Sequence, residues 1–112
     1  MFFPLPTYRV AGMRVIEVHE ALDLASSPRV LGELERLVRT GGDAGVVVDL
    51  HTACLTSTGV EALEHLAEVA ARRRRRLRIA ARRPLTRRVL SITGADQVLA
   101  VHPDLAGALG RS

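Results

Sequence analysis

At 112 residues, 47% apolar and 25% charged, the chain has the size and composition of one globular domain, which excludes wholesale disorder and a division into two domains. All 16 basic residues are Arg: five stand against ten acids in residues 1–71, and eleven against two in residues 72–112. This asymmetry predicts a two-faced electrostatic surface with a patch that attracts anionic partners. The aromatics are Phe2, Phe3 and Tyr8, all before residue 10, so stacking platforms for single-stranded nucleic acid are not expected.

A single Cys54 cannot form an internal disulfide, which points to a reducing compartment. The start, Met1-Phe2-Phe3-Pro4-Leu5-Pro6, lacks the basic region of a signal peptide and its apolar run is broken by prolines. No apolar run approaches the ~18 residues that would cross a membrane. A cytoplasmic protein with no membrane partner is expected.

In chain order, Phe2–Tyr8 predicts a short edge strand, where proline is tolerated. Met13-Arg14-Val15-Ile16-Glu17-Val18 nearly alternates apolar and polar side chains and predicts a strand within residues 10–18. Ser27 then reads as an N-cap ahead of Pro28, with Val30, Leu31, Leu34, Leu37 and Val38 at helical spacing and Gly41-Gly42 as the stop. Gly45-Val46-Val47-Val48-Asp49-Leu50 is the continuous apolar pattern of a strand covered on both faces.

A helix from about Thr58 to Arg72 turns Val60, Leu63, Leu66, Ala67 and Ala70 inward and Glu61, Glu64, His65 and Glu68 outward. A strand at Leu77–Ala80, a helix from Pro84 to Thr93 ended by Gly94, a strand at Val98–Val101 and a helix near Pro103–Leu109 complete the chain. Strands alternating with helices predict βαβ units: an α/β fold with a mixed, mostly parallel sheet of four to five strands and about four helices.

The segment from Asp49 to Val60 carries most of the functional information. It leaves an apolar strand, crosses a short loop and enters a helix at Thr56-Ser57-Thr58-Gly59. Hydroxyls at a helix start accept hydrogen bonds from unpaired amides of the first turn, and those amides with the helix dipole also favour an added negative charge. The motif is thus a helix cap and, equally, a site suited to phosphorylation. Gly59 serves close backbone approach or a tight helix entry, and Asp23 serves a partner surface or a loop cap.

The order of these pieces resembles the STAS domain of bacterial anti-sigma factor antagonists. The resemblance rests on Ala21-Leu22-Asp23 with the Ser27-Pro28 helix start, Val46–Leu50, Ser57-Thr58-Gly59-Val60, and Arg87-Arg88-Val89-Leu90 followed by Thr93-Gly94 and Val98-Leu99. It covers about residues 10 to 110 and implies a single STAS-like domain over 1–112, with 1–9 as an N-terminal extension or edge strand. It implies no enzymatic activity and no cofactor. It also implies docking on an anti-sigma factor that is itself a serine kinase, with Ser57 as the phosphate acceptor and Thr58 and Thr56 behind it. The implied partner surface is Asp23, Thr56, Ser57, Thr58, Gly59, Val60 and Glu61. The family places an Asp directly before the acceptor; here that position is Thr56.

Two alternatives stay open. A STAS interaction or scaffold module without phosphorylation keeps the fold and drops the switch. An arginine-patch nucleic-acid binder would use Arg72–Arg76 with Arg78, Arg82, Arg83, Arg87 and Arg88, but no helix-turn-helix, zinc or RNA-recognition signature accompanies the run, so nucleic acid is the weaker alternative. His19, His51, His65 and His102 are dispersed, and no metal site is expected from their chain spacing. Ser57 has no base partner for nucleophilic catalysis, and Cys54 reads as a small buried apolar residue. Self-association as a homodimer, through Phe2 and Phe3 if these stay exposed, is open.

Overall fold

The computed structural model describes residues 4–42 and 44–110. Its first strand, β1, is Thr7–Val10, antiparallel to β2, Met13–Val18. They are joined through Ala11 and Gly12, with φ of 53° and 78°, the two consecutive positive values that a two-residue hairpin of this hand requires. The expected edge strand therefore begins at Thr7; Phe2 and Phe3 lie outside the described residues.

The other elements are α1 Ser27–Thr40, β3 Gly45–Leu50, α2 Ser57–Arg72, β4 Arg76–Ala81, α3 Pro84–Ile92, β5 Ala100–His102 and α4 Leu105–Ala108, with a single 3-10 turn at Ala95–Gln97. The sheet runs in chain order, β1-β2-β3-β4-β5, parallel from β2 onward. A sequential order with right-handed crossovers sends every crossover helix to the same side. Accordingly α1, α2 and α3 bury Val30, Leu34, Val38, Leu63, Leu66 and Leu90 against Ile16, Val18, Val46, Val48, Leu50 and Ile79.

Among the described residues the opposite face keeps only α4, whose Ala108 packs on Val15, Val47 and Ala80. Four residues of helix cannot roof five strands. Toward the C-terminal ends of β2, β3 and β4 this face therefore carries Glu17, Asp49 and Arg82 instead of apolar side chains. β3 is nonetheless buried at all six positions, as its unbroken apolar run predicts. Among the described residues no helix is long and apolar enough to cross a membrane.

Three local expectations need correction. Ser26, not Ser27, occupies the cap position of α1, and Ser27 is the first helical residue. Ser27 is 2% exposed, and its buried hydroxyl has no hydrogen-bond partner among the described residues. Val98-Leu99 precedes β5 instead of forming it: Gly94 at φ 76° turns the chain into the 3-10 turn, which exposes Val98 and buries Leu99. Cys54 is exposed, because it sits on the loop between β3 and α2 and not on either element.

Candidate functional site

Two loops at the C-terminal ends of β2 and β3 are laced together. Leu22 and Leu55 form a parallel bridge. The Leu22 amide donates to the Cys54 carbonyl at 2.9 Å, and the Thr56 amide donates to the Leu22 carbonyl at 3.0 Å. The Thr56 hydroxyl also donates to the Leu22 carbonyl, at 3.0 Å, and accepts from the Gly59 amide at 3.5 Å. Thr56 is therefore the N-cap of α2, and its hydroxyl works in both directions at once. A carboxylate accepts only and would face the Leu22 carbonyl with like polarity, which gives a physical reason for a threonine here. Thr56→Ala is expected to cost about 1 kcal/mol of stability, measured by urea denaturation.

With Thr56 in the cap, Ser57 is the first residue of α2, exposed, and its hydroxyl makes no hydrogen bond among the described residues. Thr58 is half-buried. It lines an open, mostly apolar groove between α1 and α2 together with Ser27, Pro28, Leu31, Glu61 and His65. Gly59 and Val60 point inward and are buried, so they shape the loop and offer no side chain to a partner. Glu61 is exposed one turn further along.

Asp23 stands beside this loop. Its Oδ1 accepts from the amides of Ala25 at 3.0 Å and Ser26 at 2.9 Å, and from the Ser26 hydroxyl at 3.0 Å. The Ser26 hydrogen bonds hold its carboxyl below the ordinary carboxylate value and outweigh the opposing effect of burial. Asp23 thus closes its own loop, the cap role of the two open to it. On the far side of the loop the buried Thr86 hydroxyl of α3 donates to the Thr52 carbonyl at 2.7 Å, and the Thr52 hydroxyl accepts from the Cys54 amide at 3.0 Å.

The arginine-rich half does not assemble into one free patch. Arg75 donates to the Val38 carbonyl. Arg78 donates to the Ala108 carbonyl at 2.7 Å, and Arg87 to the Ala81 carbonyl at 2.8 Å. Arg82 grips Asp49 with two parallel hydrogen bonds, Nε to Oδ1 at 2.9 Å and a terminal nitrogen to Oδ2 at 2.8 Å. Arg72, Arg73, Arg74, Arg76 and Arg88 are exposed.

One grouping was invisible from chain spacing. β2 and β3 pair with Glu17 opposite Asp49 and Val18 opposite Leu50, which carries His19 to the side of His51. Their rings lie 4.2 Å apart between centroids. An acid at the C-terminal end of a strand with a His two residues on, repeated as Glu17/His19 and Asp49/His51, was the available signal; joining the two pairs needed the strand register.

The mostly parallel sheet thus displays an exposed serine without a side-chain hydrogen bond among the described residues at the start of α2, on a loop stitched to its neighbour. The family model described as the STAS domain matches residues 5–108, and the chain belongs to the STAS domain family. A search of curated protein sequences finds no match.

Among solved structures, an anti-sigma factor antagonist from Mycobacterium paratuberculosis superimposes with a TM-score of 0.81 at 24% identity, covering 95% of this chain and 90% of that one. An RsbS variant from Moorella thermoacetica gives 0.73 at 20% identity, covering 95% and 92%. The anti-sigma factor antagonist SpoIIAA in its unphosphorylated form gives 0.67 at 15% identity, covering 88% and 87%. At these identities the likeness speaks for the fold.

Proposed function

We propose that this STAS domain is an anti-sigma factor antagonist, a cytoplasmic binding protein without catalytic activity of its own. It docks on a serine-kinase-type anti-sigma factor through the β3–α2 loop and the first turns of α2, and phosphorylation of Ser57 releases it. The observation that carries this reading is the division of labour among three adjacent hydroxyls. Thr56 is committed to the cap and Thr58 is half-buried, while Ser57 is exposed and unpaired.

A phosphate on Ser57 adds about −1.5 to −2 charge at pH 7. The amides of the first helical turn tolerate that charge, so the domain stays folded. Glu61, four residues on, repels it and favours an outward orientation. A partner lying over the loop would then have to desolvate a dianion, which is costly unless a cation meets it. Local tolerance combined with disruption of the interface is what a switch requires.

Incubation with the cognate kinase and ATP is expected to place one phosphate on Ser57, read by mass spectrometry. Ser57→Ala is expected to bind the partner like the unmodified protein, and Ser57→Asp roughly 10- to 100-fold more weakly, equivalent to about 1.4–2.8 kcal/mol. Equal affinities of the two variants defeat the switch. Thr56 in the position of the family's acid favours the second reading, a constitutive interaction module. In that case a stable complex forms and no phosphate appears on residues 56–58.

A further inference from the structure

We propose a divalent transition-metal site, suited to zinc, formed by Glu17, His19 and His51 on the sheet face opposite the crossover helices. Each of the three offers a ligand atom, and these atoms lie within 4.8 Å of one another. Two imidazoles and a carboxylate are a donor set that zinc accepts, with a fourth position left to water or to a partner's side chain. Ligand atoms about 2.0–2.1 Å from a tetrahedral zinc stand roughly 3.4 Å apart, so the cluster has to draw in. The His19 side chain is 53% exposed, so it has room to turn toward His51, which the Asp49 contact keeps in place.

Two further features of the face suit a metal. The Asp49 carboxylate, fully buried and held by Arg82, contacts His51 Nε2 at 3.0 Å. A carboxylate on one ring nitrogen fixes the tautomer and leaves the other nitrogen basic, an arrangement that recurs behind metal-binding histidines. Two carboxylates, Glu17 and Asp49, flank the cluster, and Asp49 is matched by Arg82. A bound cation would tie the segment after β2 to the segment after β3. Those segments run on into the Asp23 and Ser57 loops, and the site stands independently of whether Ser57 is phosphorylated.

The test uses the full chain, free of any histidine tag, titrated with Zn2+ by calorimetry and with Co2+ by visible absorption. The expected result is one saturable site per chain and the intense visible bands of low-coordinate Co2+. His19→Ala, His51→Ala and Glu17→Gln should each weaken binding by about 10-fold or more. His65→Ala, His102→Ala and Cys54→Ser should leave it unchanged, which separates the cluster from adventitious histidine or thiol binding. If His51→Ala does not fold, His19→Ala decides, since its side chain is largely in solvent. Absence of saturable binding, or affinity untouched by His19→Ala, overturns the site.

Discussion

Gly59→Ala is expected to destabilise the domain by about 2 kcal/mol, while Gly32→Ala, the same substitution in the middle of α1, is expected to stabilise it by about 0.5–1 kcal/mol. Both glycines are helical, and alanine is the better helix former at each by up to ~1 kcal/mol. The difference lies in what surrounds them. A Cβ at Gly32 meets nothing within 4 Å. At Gly59 it would sit 2.5 Å from the Leu22 carbonyl oxygen, 2.8 Å from Leu22 Cβ and 2.9 Å from Leu55 Cδ1.

The first of those neighbours is backbone, held by hydrogen bonds from Thr56 to the same carbonyl, so no rotamer change relieves the overlap. The Leu22–Leu55 bridge must open, and overpacking of this kind costs about 1–3 kcal/mol beyond any propensity gain. Because that bridge presents the Ser57 loop, Gly59→Ala should also weaken partner binding, which Gly32→Ala should leave intact. Urea denaturation of both variants checks the pair; equal and opposite-to-expected signs at Gly59 mean the two loops are not packed as described.

That pair shows what was legible in the sequence and what was not. A tight helix entry at Gly59 was readable from the run of hydroxyls before it, because caps act within three residues. The specific need for glycine was not, because the two nearest obstructing atoms belong to Leu22, 37 residues earlier. The helices were legible for the same local reason: apolar side chains recur at 3.6-residue spacing, and Pro28 and Pro84 sit in first turns. The buried strand β3 announced itself through Val46-Val47-Val48.

Sequence and structure diverge where two local signals compete. Ser26 and Ser27 both precede Pro28, and which one caps is settled by the Asp23 turn, to which Ser26 is bonded by both its amide and its hydroxyl. Val98-Leu99 carries strand propensity, yet Gly94 at positive φ imposes a turn first. The grouping of Glu17, His19, Asp49, His51 and Arg82 depends on parallel register, which tertiary assembly sets and no short window contains.

Arg82→Leu is expected to lower the unfolding free energy by about 2–3 kcal/mol at pH 7. Removing one partner from a fully buried ion pair costs about 3–5 kcal/mol, because the other charge is left without compensation. Asp49 is fully buried, but the Arg82 side chain is 43% exposed, so water reaches the vacated place and the loss is smaller. His51 remains against Oδ2 and softens it further.

The pH dependence carries the sharper test. Burial by itself pushes the Asp49 carboxyl up, and that is the largest single influence. The Arg82 hydrogen bonds, with the charges of His51 and Arg82, outweigh it and hold the carboxyl below its ordinary value of 3.8. A depressed carboxyl contributes stability that is fully present above 3.8 and is lost as pH falls through the lower folded-state value. In Arg82→Leu burial is opposed by His51 alone, so the carboxyl moves up from its native position and the variant loses less stability than the parent protein as the pH falls. The stability gap between the two proteins should therefore narrow steadily from neutral pH into the acid range, as followed by urea titrations across that span. A gap that stays constant would place the cost of the substitution in lost packing and not in an unmatched Asp49 charge.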